Sequence, residues 1–131
     1  TGAIVVTTPQ DIALIDARKA IEMFAKVEVP VLGIVENMAV HICSNCGHQE
    51  HIFGTEGGER MAEHYGVPLL GALPLDLSIR ENSDSGEPTV VSQPDSTIAT
   101  MYDEMAKAVI TSLEEQNAAS TDMPTISISD D

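Results

Sequence analysis

The chain has 131 residues, enough for one domain with a core, and its 43% hydrophobic content fits a soluble globular protein. Its 21 acidic residues stand against 6 basic ones, and the formal charge of -15 repels phosphate backbones and anionic membrane surfaces, which argues against nucleic acid or a membrane as partner. No apolar run approaches the ~20 residues of a membrane span, and Thr1 opens into a strand-like stretch instead of a signal region, so the expected location is cytoplasmic.

Gly2 to Thr8 is a β-branched run with an apolar centre, as expected of a strand buried on both faces of a parallel sheet. A helix is expected next, with Thr8 as N-cap, Pro9 at the first helical position and Asp11 in the first turn, where the helix dipole favours negative charge. Leu14, Ala17, Ile21 and Phe24 recur at three and four residues, an apolar stripe for the sheet, while Asp16, Lys19 and Lys26 face water. Val29 to Val35 reads as a second buried strand. Strand, helix, strand with short joins is a crossover unit, which makes an α/β fold with a parallel sheet the natural architecture.

Met38 to Phe53 interrupts this rhythm. After it, Gly57 and Gly58 lead into a short helix through Met61, Ala62 and Tyr65, stopped at Gly66 and Pro68. Leu69 to Leu73 is a third short strand, Ser78 to Ser83 a helical turn, and Thr89 to Val91 too short to assign. Ser96 caps a long helix expected from about Thr97 to Gln116, whose Ile98, Met101, Met105 and Val109 form a core-facing stripe. The domain is thus expected over 1–116. Residues 117–131 turn to Ser, Thr, Asp and Pro and are expected to be a disordered acidic tail, with Ile126 and Ile128 a weak strand signal inside it.

The interruption holds both cysteines and three of the four histidines, in the run His41-Ile-Cys43-Ser-Asn-Cys46-Gly-His48-Gln-Glu-His51. Cysteines spaced in this way, in a chain without a secretion signal, read as metal, cluster or redox ligands rather than a disulfide. A tetrahedral metal or an iron-sulfur cluster usually takes four protein ligands, and one Cys-x-x-Cys supplies two. A second copy of the chain on a twofold axis completes the set, so the motif predicts a metal or cluster together with a homodimer. Gly47 permits the backbone angle that such a tight knuckle needs. Three alternatives stay open: zinc held within one chain by Cys43, Cys46, His48 and His51; a structural four-thiolate zinc across a dimer; and a dithiol oxidoreductase. His41, His48 and His51 could also tune the site from behind the ligands.

Ligands of an open parallel sheet bind outside the carboxyl ends of its strands. Here those ends are Thr7-Thr8-Pro9-Gln10, Glu36-Asn37-Met38 and Pro74-Leu75-Asp76, a rim of hydroxyls, amides and carboxylates. The Asn37 amide can donate and accept at once, as reading a purine edge requires, although these residues also suit ordinary caps and turns. Arg80 and Asp84 lie near the rim and suit a surface ion pair, and His64 suits the end of its helix. The phosphate site is missing: no lysine follows a glycine, and Gly54-Thr-Glu-Gly57-Gly58-Glu carries glutamates that repel phosphate.

Several segments, in order, carry a resemblance: Val6-Thr-Thr-Pro-Gln-Asp-Ile-Ala-Leu, Gly33-Ile-Val-Glu-Asn-Met, His41-Ile-Cys-Ser-Asn-Cys-Gly-His, Ile52-Phe-Gly, Gly66-Val-Pro-Leu-Leu-Gly-Ala-Leu-Pro-Leu-Asp and Asp84-Ser-Gly-Glu-Pro-Thr-Val. From Thr1 to about Gln116 the chain resembles the C-terminal part of the Mrp/ApbC-type iron-sulfur cluster carrier ATPases, deviant P-loop proteins related to MinD and the nitrogenase iron protein. The resemblance implies part of a deviant P-loop NTPase fold with the knuckle inserted in it. It implies that Cys43 and Cys46 of two subunits bridge a [4Fe-4S] cluster destined for apo-proteins; the four thiolates themselves would also accept zinc as a substitute. Asn37 matches the asparagine on the adenine base, and Pro74 to Asp76 the segment on the base's other side. The family's ATP-binding, Mg-dependent lysine loop and Asp-rich switches lie upstream of the matched region, so no catalytic residue is assigned here and the chain is expected not to hydrolyse ATP alone.

Overall fold

The computed structural model describes residues 1–120, without the side chain of Ser120. In chain order the elements are β1 (Ala3–Thr7), α1 (Asp11–Lys26), β2 (Val31–Glu36), β3 (His41–Ile42), β4 (Gln49–Glu50), α2 (Gly57–Tyr65), β5 (Leu69–Ala72), α3 (Leu77–Asp84), α4 (Thr89–Ser92) and α5 (Thr97–Ser120). β1, β2 and β5 form a parallel sheet in the order β1-β2-β5, with Val5 opposite Ile34 and Val35 opposite Gly71. β3 and β4 are a separate antiparallel hairpin inside the cysteine knuckle.

Alternation along the strands sorts the core into two layers. Val5 and Ile34 point to one face and pack with Leu14, Ala17 and Ile21 of α1 and Met61 and Ala62 of α2. Val35 and Leu70 point to the other and, with Leu73, meet Met101, Tyr102, Met105, Ala108 and Val109 of α5. The first stripe follows the expected spacing, with Phe24 as a half-buried neighbour; in the second, Met101, Met105 and Val109 pack as expected, while Ile98 does not join that cluster and Ala99 is the buried residue of its turn. Gly71 lets α5 approach closely, since a Cβ there would lie 3.1 Å from the Met105 Cβ.

Some local expectations shift. Thr8 does not cap α1: its Oγ1 donates to Gln10 Oε1 at 3.1 Å, Gln10 stays extended, and the helix begins at Asp11. Pro9 biases Thr8 away from helical angles, and the Pro9 carbonyl is pressed against Gly57, where a Cβ would come within 2.7 Å. The segment turns into the helix two residues later than expected, with Pro9 packed closely on the start of α2. Ser96 does cap α5, its Oγ accepting from the Ala99 N–H at 3.1 Å. α5 passes its expected end at Gln116 and continues to Ser120; Ala118 and Ala119 favour helix, and no glycine or proline follows before Pro124. The rest of the expected tail, 121–131 with Ile126 and Ile128, lies outside the described residues. Thr89 to Ser92 forms a one-turn helix.

The central strand ends in a buried carboxylate. Glu36 is 6% exposed, and its Oε2 accepts the Gly58 N–H at 2.5 Å. Removing a buried acceptor strands its donor at a cost of about 1–3 kcal/mol. Glu36→Ala is therefore expected to lower unfolding free energy by about that amount in urea titrations, and Glu36→Gln by less, because its amide oxygen still accepts. Equal losses in the two variants would show that this bond does not anchor α2.

Candidate functional site

The carboxyl ends of the three strands converge on one rim, as expected of an open parallel sheet. Asn37 follows β2 directly: its N–H donates to Thr7 O at 2.7 Å, and its Oδ1 accepts from Met38 N at 2.9 Å. That second bond steadies Met38 at φ 55, a left-handed conformation unusual for a residue with a side chain. The Nδ2 donors and a second lone pair of Asn37 remain for a ligand. Asp76 spends one carboxylate oxygen on capping α3, accepting from Ser78 N at 2.8 Å and from Ser78 Oγ at 2.5 Å. Pro74 is buried beside it.

These three residues line one cavity of about 270 Å³, together with Ile79, Arg80, Asp84 and Tyr102. The structure thus brings Asn37, Pro74 and Asp76 together, although they are distant in sequence. Arg80 forms the expected ion pair with Asp84, 3.1 Å apart on the surface of α3. Tyr102 was missed by sequence reasoning; its one signal is an aromatic ring in a chain with 3% aromatic residues, placed among the methionines of α5. Flat apolar and aromatic walls with a few amide and carboxylate groups suit a nucleobase better than a charged phosphate.

The knuckle projects from the same rim. Cys43 N donates to His48 O at 2.9 Å and Gly47 N to Cys43 O at 2.8 Å, closing the Cys-x-x-Cys turn, and Gly47 takes φ 72. This turn aims the backbone N–H groups of Cys46 and Asn45 at the Cys43 sulfur. Those two bonds, then one from the Cys46 side chain, pull the Cys43 pKa below the ordinary thiol value, against smaller opposition from burial and from Glu50. Cys43 is half-buried, Cys46 is exposed, and both are free thiols.

The histidines do not join them. His51 Nδ1 is hydrogen-bonded to Ala39 O at 2.8 Å, and His41 Nδ1 lies 3.8 Å from Glu50 Oε1 across the hairpin. Among the described residues, no three His, Cys, Asp or Glu side chains converge to hold a metal. The zinc site within one chain, drawn from Cys43, Cys46, His48 and His51, is therefore not assembled.

The strand-end rim and the knuckle share backbone. Ala39 N donates to Leu73 O at 2.9 Å, Leu75 N to Val40 O at 2.8 Å and Ile42 N to Leu75 O at 3.1 Å, so the strand that ends at Cys43 is laddered onto the segment that lines the cavity.

Residues 1–110 match the family described as ParA: NUBPL iron-transfer P-loop NTPase. The chain belongs to this family. It is 64% identical over 113 residues to the iron-sulfur cluster carrier protein of Escherichia coli K12, covering 86% of this chain and 31% of that protein. Among solved structures it is similar to the cell division ATPase MinD of Pyrococcus furiosus, with a TM-score of 0.66 and 29% identity over 84% of this chain and 42% of that one. It is also similar to a nucleotide-binding protein from Archaeoglobus fulgidus in complex with ADP, with a TM-score of 0.59 and 35% identity, covering 72% of this chain and 38% of that one. The α/β architecture of this NUBPL-type chain is therefore part of a MinD-like P-loop NTPase fold, and the chain spans about a third of the length of the curated relatives it matches.

The thiol geometry gives a pH prediction. A thiol with a folded pKa below its unfolded value stabilises the fold above the unfolded pKa, and that contribution disappears as pH falls through the folded pKa. Cys43 should accordingly react with iodoacetamide, followed by mass spectrometry of its peptide across pH, with an inflection below that of the same peptide in urea. Coincident inflections would contradict the amide-to-sulfur bonds.

Proposed function

We propose that this chain is the cluster-holding part of a cytoplasmic iron-sulfur carrier. The observation that carries the reading is the exposed knuckle, which presents two free thiols, one of them with its pKa lowered by backbone amides, and among the described residues no third ligand beside them. Two copies complete a four-thiolate set, so Cys43 and Cys46 of a homodimer bridge one [4Fe-4S] cluster. The cluster is cargo, and apo iron-sulfur proteins are its recipients. A site with two ligands per subunit, at a surface, suits release better than a closed cage does. The names of the relatives, iron-sulfur cluster carrier and transfer proteins, support the same reading.

In the longer protein, ATP with Mg binds at the rim. Asn37 reads the adenine edge with the donors left free by its bond to Met38, while Pro74 and Asp76 close the other side of the base. Glycine-lysine phosphate chemistry is absent from these 131 residues, so hydrolysis requires the remainder of the polypeptide. Among the described residues no helix is long and apolar enough to cross a membrane, and the charge of -15 disfavours nucleic acid.

Anaerobic reconstitution with iron and sulfide tests this directly. The expected product is a brown dimer with about four irons and four sulfides per two chains. Cys43→Ser or Cys46→Ser should each abolish both colour and dimer, and a stoichiometric cluster surviving in either variant would refute the bridge. A colourless dimer that takes up zinc alone would establish instead a structural zinc-knuckle dimerisation module, the competing use of the same four thiolates. Phosphate-release assays of the chain with Mg-ATP should give no turnover, and turnover free of contaminating ATPase would place the phosphate site within these residues.

A further inference from the structure

The outward face of α1 is apolar where it meets water. Ile12, Ile15, Lys19 and Met23 recur at three and four residues and form one ridge, turned away from the buried Leu14, Ala17 and Ile21. Ile12 is 75% exposed, Ile15 53% and Met23 50%. Apolar residues scattered singly over a surface need no explanation, but these three share a ridge, and the aliphatic stem of Lys19, whose ammonium leans on Asp16 at 3.5 Å, joins them. Helices on both faces of a sheet complete the layers of an α/β domain, so no further layer of the fold covers this face.

Beside the ridge, α1 and α2 leave a groove of about 200 Å³. Buried Leu14, Gly57 and Met61 give it an apolar floor, and Ile15 belongs to both groove and ridge. Arg18 and Arg60 line it, with Asp11 as the one carboxylate in the lining. Four of the chain's six basic residues, Arg18, Lys19, Lys26 and Arg60, lie on these two helices. Arg60 Nη1 donates to Thr55 O at 3.3 Å, and among the described residues neither Arg18 nor Arg60 forms an ion pair. Two unpaired guanidinium groups beside an apolar floor are a local exception in a chain with 21 carboxylates. Charges act over about 8 Å at physiological salt, so a segment seated here responds to the arginines more than to the net charge.

We propose that this ridge and groove dock a protein partner through an amphipathic helix whose apolar seam is flanked by carboxylates. From Ile12 to Met23 the ridge is about 16 Å long, three turns of a packed helix. The partner's seam covers Ile12, Ile15 and Met23, and its carboxylates reach the Arg18 and Arg60 forks. A second copy is the poorer occupant, because its long acidic helix α5 spends its apolar stripe on its own sheet. An anionic membrane is poorer too, since a flat surface also meets the rest of a chain of charge -15. α2 follows the knuckle directly, so the partner is held beside its C-terminal end. The surface is independent of any cluster, and its test uses the apo chain.

The test titrates the full chain into a fluorescently labelled synthetic peptide, with leucine at three- and four-residue spacing and glutamate flanking that seam, and reads anisotropy. Saturable binding is expected, with the amide signals of Ile15, Arg18 and Arg60 shifting in NMR spectra. The same peptide with lysine for glutamate should bind about tenfold or more weakly. Arg18→Glu combined with Arg60→Glu should reverse that preference, and Ile12→Ser combined with Ile15→Ser should weaken both peptides. Lys107→Glu, on α5 across the sheet, should bind like the parent. All these side chains are exposed, and circular dichroism checks the fold; if Arg60→Glu disturbs the turn at Thr55, Arg18→Glu alone carries the comparison. No binding of the acidic peptide, equal affinity for the two peptides, or a preference that charge reversal leaves unchanged would overturn the proposal. So would binding to anionic lipid vesicles, or self-association of the apo chain, that the Ile12→Ser and Ile15→Ser variant loses, since each names a different occupant.

Discussion

Strand β2 must be paired on both edges and covered on both faces, and the remaining elements are arranged around that requirement. Ile34 and Val35 are 0% and 3% exposed on opposite faces, so α1 and α2 are needed on one side and α5 on the other. The strand then has to leave the core through Glu36, a carboxylate too costly to bury unpaired. The first turn of α2 supplies both an N–H and the positive end of a helix dipole. Gly58 is required for the approach, since a Cβ would lie 2.9 Å from the Glu36 Cβ and Oε2. One polar contact thereby fixes where the chain re-enters the fold after the knuckle.

The same strand end sets the site. Glu36 O accepts from Leu73 N at 2.8 Å, Asn37 is tied to Thr7, and the ladder from Ala39 to Ile42 continues along Leu73 and Leu75. Cavity wall and knuckle base are in consequence two sides of one hydrogen-bonded strip. The sulfur-bearing turn stands on this strip, not on a flexible loop, although its tip is exposed. The Cys43 pKa is lowered first by backbone amides that the turn itself orients, which needs no cationic side chain. That matters in a chain with so few basic residues.

Periodicity made the three strands and the long helices legible, because Leu14, Ala17 and Ile21, and then Met101, Met105 and Val109, obey a spacing that burial enforces. Local chemistry was less legible where tertiary contact outweighed it. Thr8 has the composition of a cap, yet its hydroxyl bonds to Gln10 and the helix starts at Asp11, beside a Pro9 carbonyl that packs closely on Gly57. The site divided in the same way. The cysteine pair is readable from spacing alone, as is the polar character of the strand ends. That Asn37, Pro74 and Asp76 meet in one cavity depends on the β2-to-β5 pairing, and Tyr102 reaches it only because α5 crosses that face.

Charge adds a constraint on the proposed dimer. Two chains this acidic repel at neutral pH, and each offers half of a ligand set on an exposed turn. In the proposed dimer, bonds from four thiolates to the shared cluster would act against that repulsion. Under that arrangement, loss of the cluster removes the force that opposes repulsion, so unloading and separation of the subunits become one event. A carrier built in this way has no need for a separate device to open its cage: protonation of a thiolate, or its exchange for a recipient's thiolate, is enough to start the release.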